Sequence, residues 1–216
     1  MMSTYYQNDA IRKHRAAVLN AESYKIFNDS FLLSNRNNLT FESIEITKFL
    51  SNGMMGNRPS HEYTFQFVQM QNLEYLKLGC AFELSLKAQL LYNGILLHKM
   101  KNQSEAKEQK KTPIKIIDSM DYESKISTHT LEFSTLLEPN YVELYELSKA
   151  ELEYIESIRR LRNEIHFPED GGVDSTQWGK VCALLLNYVN EKIVKFNESI
   201  SHEVLVKPML LPQKIL

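Results

Sequence analysis

Residues 61–100 constrain the fold more than any other stretch. "LEYLKLGCAFELSLKAQLLYNGILLHKM" repeats apolar side chains at intervals of three and four, through Leu73, Leu76, Cys80, Leu84 and Leu91. That period belongs to a helix and cannot be laid on a strand. The pattern predicts one long helix over 61–100, interrupted late at Gly94. The chain has only 7 glycines and 6 prolines in 216 residues, too few for a turn-rich β fold. A chain of this length buries roughly 70% of its unfolded surface, so a full core forms without covalent staples.

Other segments repeat the same signal. Residues 3–34 carry Ile11, Val18, Leu19, Ala21 and Phe27 near helical spacing. Residues 39–52 suit a strand or a short helix, and "NGMMGNRPS" (52–60) is a break. "KNQSEAKEQKKT" (101–112) reads as a solvated loop or frayed helix end. Pro113 opens a short segment, and Thr128 or Thr130 opens a short helix closed by Pro139-Asn140. Residues 141–167 form the next strong helix, stopped by Pro168 to Gly172. Ser175 or Thr176 caps a last helix to about Ile200, and the apolar tail 201–216 is expected to dock on it or on a partner. No internal repeat is visible. The expected fold is all-α, an antiparallel helical bundle over 61–200 with an N-terminal helical arm over 1–60.

Charge and cysteine usage narrow the function classes. The net charge is −2, so no global field attracts nucleic acid and any such contact needs a local patch. The two cysteines, Cys80 and Cys182, sit in apolar helical patterns and read as reduced packing residues of a cytoplasmic protein. "MMSTYYQNDAIRKHR" lacks an apolar run of signal-peptide length, and no stretch reaches about 18 uninterrupted apolar residues, so no membrane contact is expected. His61-Glu62 has no second histidine at zinc spacing, and no glycine-rich phosphate loop is present, so no metal or cofactor is expected. Lys87 is expected to pair with Glu83, four residues earlier, or to snorkel. His98 and His129 follow apolar stretches and read as histidines satisfied within the bundle. Tyr63, Phe65, Phe67, Tyr75, Tyr145 and Tyr154 read as core aromatics.

One segment stands apart: "RRLRNEIHFPEDGG" at 159–172. With Ile158 at zero on a helical wheel, Leu161, Ile165, Tyr154 and Leu147 centre an apolar stripe at about −20°. Arg162 then falls at about +40°, His166 at about +80° and Arg159 at about +100°, on one flank of that stripe. Asn163 falls at about +140° and Arg160 at about −160°, opposite the core. Two readings follow. Basic side chains at a helix C-terminus meet the negative end of the macrodipole, and Arg162 would pair with Glu169 or Asp170. Alternatively, the flank is a phosphate site.

"RLRNEIHF" at the end of a helix resembles the motif of the HEPN superfamily, an arginine, four to six residues, then a histidine. "FELSLKAQLLYNGILLHKM" (82–100) resembles the acidic, lysine-bearing helix that precedes a turn and a histidine in many HEPN domains. The likeness covers about residues 61–200. It implies an all-α bundle that dimerises and, in many members, a metal-independent endoribonuclease of toxin–antitoxin or phage-defence systems. Other members are non-catalytic binding modules. Carried over, the motif histidine is His166. Arg162 is followed by Asn163 in the family's manner but lies only three residues short of His166, whereas Arg160 and Arg159 satisfy the spacing. The roles implied are acid/base chemistry for His166, phosphate binding for Arg159 and Arg162, and hydrogen-bonding support from Asn163. A homodimer, an RNA substrate and an antitoxin protein are the implied partners.

Overall fold

A computed structural model describes residues 6–30, 61–117, 121–164 and 178–201, with side chains omitted for 61–72, 164, 178–180, 182 and 201. The elements expected over 39–52, the caps at Ser175 and Thr176, and the C-terminal tail lie outside the described residues. What is described is mostly helical. Its helices are α1 (Asp9–Asn28), α2 (His61–Tyr92), α3 (Gln103–Lys111), α4 (Tyr122–Lys125), α5 (Phe133–Leu136), α6 (Pro139–Val142), α7 (Lys149–Glu164), α8 (Trp178–Tyr188) and α9 (Lys195–Ser201). A small antiparallel sheet pairs β1 (His98–Met100) with β2 (Ile126–Thr130), and the mostly helical structure is consistent with the all-α expectation.

Local chemistry sets the boundaries. Asn8 caps α1 by accepting from the Ile11 amide at 3.1 Å. Helix α2 would be about 48 Å long at standard rise. It stops at Tyr92 because Gly94 takes φ 73°, the left-handed region open to glycine. The Gly94 amide then donates to Leu91 O at 3.1 Å and the Ile95 amide to Leu90 O at 2.9 Å, the paired bonds of a Schellman stop. The chain therefore reverses where the apolar period alone predicts more helix, and 98–100 becomes strand.

Helix α3 covers the edge of that strand. Asn102 caps it by accepting from the Ser104 and Glu105 amides at 2.9 and 3.3 Å. Its buried Gln109 accepts from the Met100 amide at 3.0 Å and donates to His98 O at 2.9 Å, so the edge's polar groups are satisfied. The sequence expectation of a loop or frayed end at 101–112 gives way to this capped, packed turn of helix. Downstream, Ser148 and Glu151 form a capping box: Ser148 N and Oγ both donate to Glu151 Oε2 at 2.7 Å. That box starts α7 at Lys149 rather than near 141.

Helices α1 and α2 run antiparallel. Ser23 Oγ donates to Ala81 O at 2.7 Å, and Lys77 Nζ donates to Asp29 O at 3.2 Å. The N-terminal helix thus shares the core with the region after residue 60. Phe27 of α1, Phe82 of α2 and Tyr188 of α8 meet with ring centroids 4.9, 4.9 and 5.8 Å apart, all fully buried. Tyr188 hydroxyl reaches Ser85 Oγ at 2.9 Å, and burial holds its phenol well above the ordinary range. Beyond Tyr188 the helix widens into a π turn over Val189–Val194. Asn20 Nδ2 donates to Ile193 O at 3.0 Å there, tying α1 to the widened turn.

Phe82→Ala removes the ring shared by all three helices and should cost about 3–5 kcal/mol. Urea unfolding should show a lower midpoint with an unchanged slope.

Candidate functional site

The motif helix α7 is rotated relative to its apolar pattern. Ile155, Ile158 and Glu151 are its buried positions, at 0%, 1% and 4% exposure. On the same wheel they fall at about +60°, 0° and +20°. The inward face is therefore turned toward Arg162, at about +40°, which sits on it and not on its flank. Leu161 and Tyr154 are only half-buried. Arg160 is exposed, on the side opposite the core, as its position on the wheel requires.

A glycine makes room for Arg162. A Cβ placed on Gly79 of α2 would lie 2.7 Å from Arg162 Cδ. The aliphatic stem crosses α2 at this gap, and Arg162 Nη1 emerges to donate to Glu83 Oε2 at 2.8 Å. Lys87 Nζ donates to Glu83 Oε1 at 2.7 Å and to Thr130 Oγ1 at 3.0 Å. The pairing of Lys87 with Glu83 is the one expected from their spacing. The pairing of Arg162 is not: its carboxylate comes from α2, while Glu169 and Asp170 lie outside the described residues. Side-chain exposures of 29% for Arg162, 20% for Glu83 and 11% for Lys87 leave the cluster at the surface but largely shielded.

Arg159 is held differently. Its Nε and Nη2 donate to the two oxygens of Glu156, one turn back, at 3.0 and 2.5 Å. This two-point bond raises the Arg159 pKa further and holds the Glu156 carboxyl below the usual range. Arg159 and Arg162 thus engage separate carboxylates, and the structure does not bring them onto a common one. Asn163 is exposed. His166 lies outside the described residues.

Glu83 was not singled out as a site residue by the sequence, although it organises the cluster. Burial works to raise its pKa, but hydrogen bonds from Lys87 and then Arg162 outweigh it and hold the carboxyl below the ordinary range. His98 and His129 stand on β1 and β2, not on helices. His98 is half-buried and bonded through Nδ1 to the Tyr6 hydroxyl. Burial, and then the charge on Lys87, hold its imidazole below the usual range, on the neutral side. Tyr145 is buried and Tyr75 and Tyr154 pack partly buried against the core, while Tyr63, Phe65 and Phe67 have no described side chains. Among the described residues, Cys80 is a free, half-buried thiol, no helix is long and apolar enough to cross a membrane, and no metal-ligand cluster occurs.

No family model, curated protein or solved structure matches the chain.

Two outcomes test the cluster. Gly79→Ala gains up to about 1 kcal/mol of helix propensity. It must also displace the Arg162 stem, so a net loss of stability is expected in the wild-type background and a net gain in Arg162→Ala; chemical denaturation of wild type, the two single variants and the double variant checks the reversal. The second outcome concerns pH. A carboxylate with a depressed folded pKa adds stability above its unfolded value, about 4.3, and loses it as pH falls through the folded value. The stability gap between wild type and Glu83→Gln should therefore be widest near neutrality and close below about pH 4. A gap independent of pH would contradict this.

Proposed function

We propose that the chain is a HEPN-like endoribonuclease, metal-independent as the family resemblance implies, acting as a homodimer in a toxin–antitoxin or phage-defence system. The supporting observation is that Arg162, four residues before His166 in the chain, converges with Lys87 on Glu83. Glu83 contacts one terminal nitrogen of Arg162 and so fixes the stem without occupying the whole guanidinium fork. An arginine held in this way is pre-organised for the non-bridging oxygens of a phosphodiester. His166 takes the proton of the 2′-hydroxyl or delivers one to the leaving 5′-oxygen, as an imidazole titrating near neutrality can. The 2′-oxygen bonds to phosphorus, the bond to the 5′-oxygen breaks, and a 2′,3′-cyclic phosphate and a 5′-hydroxyl result. Asn163, one residue on from Arg162 and exposed, supplies a supporting hydrogen bond to RNA. Arg159 contributes to phosphate binding only after leaving Glu156. An antitoxin protein would act by covering this surface.

A second reading is a non-catalytic helical interaction or nucleotide-binding module of the same family. It is favoured by the two-point Arg159–Glu156 bond, which neutralises one of the two candidate phosphate ligands within its own helix.

Incubation of RNA with the purified full chain in the presence of a metal chelator tests the first reading. Wild type should cleave it, leaving cyclic phosphate ends, and His166→Ala and Arg162→Ala should each cut at least about 100-fold more slowly. Wild-type rates from His166→Ala would remove the nuclease reading. Binding of an oligonucleotide without cleavage by any of the three would leave the second.

A further inference from the structure

Tyr6 stands just ahead of α1 and is 1% exposed. Its ring meets His98 of β1 edge-on, with centroids 5.6 Å apart and planes at 87°, and lies tilted against Tyr122 of α4 at 5.0 Å. The Tyr6 hydroxyl bonds to His98 Nδ1 and accepts from the His98 amide at 3.3 Å. The amide is a donor, so the acceptor for the phenol proton is Nδ1. Nδ1 then carries no hydrogen, and the imidazole is neutral with its hydrogen on Nε2. Tyr122 is committed elsewhere: its hydroxyl accepts from the Ile117 amide at 2.7 Å and donates to Ile117 O at 2.8 Å. The groups around His98 do not welcome a second charge. Lys87 of α2 bonds to Thr130, the register partner of His98, and the carboxylate behind Lys87, Glu83, is already shared with Arg162. From β2 and α3 His98 meets Thr130 and Gln109, which carry no charge. On its own strand Lys99 is paired with Glu132, and at the start of α1 Asp9 is paired with Arg12 and Lys13.

We propose that Tyr6 and His98 form a pH-sensitive latch, in which neutral His98 holds the start of α1 on the small sheet and protonated His98 releases it. A hydrogen on Nδ1 sets two donors, imidazolium and phenol, against each other. The hydroxyl can rotate to accept it, but the phenol proton is then buried without an acceptor, which is costly. The new cation also stands near Lys87. Burial, and then the charge on Lys87, already hold the latched imidazole on the neutral side. A released imidazole titrates near the ordinary value, about 6.5, and the latched one lower. The latch is therefore at full strength above about pH 6.5 and weakens by at most about 10-fold per pH unit as pH falls toward the latched value. Release is confined to the first turns of α1, because the Ser23 bond to Ala81 O and the Asn20 bond to Ile193 O hold the helix farther along. No part of the latch involves RNA or His166, so it stands or falls apart from the nuclease reading.

Native-state hydrogen exchange of the His98 amide in the full chain, corrected for the intrinsic pH dependence of exchange, tests the latch, since that amide donates to the Tyr6 hydroxyl. In wild type its protection should fall at least about 5-fold between pH 7 and pH 5, while the amide of Leu86, in the middle of α2, keeps its own. In His98→Gln a side-chain carbonyl can accept from Tyr6 without titrating, so protection should be independent of pH over that range. Lys87→Gln removes the neighbouring charge and should move the fall to higher pH. Nitrogen-15 NMR of the wild-type imidazole near neutrality, which needs no variant, should show the hydrogen on Nε2. A hydrogen on Nδ1, a wild-type protection factor indifferent to pH, or an equal fall in His98→Gln would each overturn the latch.

Discussion

A single carboxylate, Glu83, holds two cations that come to it from different directions. Lys87 reaches it from the next turn of the same helix, and Arg162 reaches it across the gap at Gly79. Without the glycine, the arginine stem would collide with α2. Without the carboxylate, a partly shielded guanidinium on the inward face of α7 would lose its charge partner. The rotation of α7 about its own axis follows from this contact. Lys87 then ties the cluster to Thr130 of the small sheet, so the same carboxylate links two helices and a strand.

The rest of the core serves to place α2. The Phe27–Phe82–Tyr188 cluster packs α1 and α8 against it at Phe82, and the Asn20 bond to Ile193 fixes α1 against the π turn. Directional hydrogen bonds punctuate an otherwise apolar interior. They leave little freedom for α2 to slide or rotate, because each bonded partner has only one position along the helix.

Much of the helical content was legible from the three-and-four spacing of apolar residues, and Gly94 was visible as an interruption. Its consequence was not: a Schellman stop turns the last apolar residues into a strand, and only the distant partner at 126–130 makes that strand visible. Ser148 and Glu151 carried a capping-box signal that would have moved the start of α7 to 149. Including Leu147, which lies outside that helix, and passing over Ile155, which is fully buried, tilted the expected core face away from Arg162. The pairing of Lys87 with Glu83 was readable because it is local. The pairing of Arg162 with Glu83 spans 79 residues, and no spacing rule reaches so far.

The central claim is that Glu83 is simultaneously bonded by Arg162 and Lys87. Carbon-13 NMR of the Glu83 side-chain carboxyl, followed through an acid titration of the folded protein, reads that directly. The account predicts a midpoint below the ordinary glutamate range that moves part of the way back in Arg162→Gln and further in Arg162→Gln/Lys87→Gln. An ordinary midpoint in wild type, or one indifferent to Arg162, would contradict it.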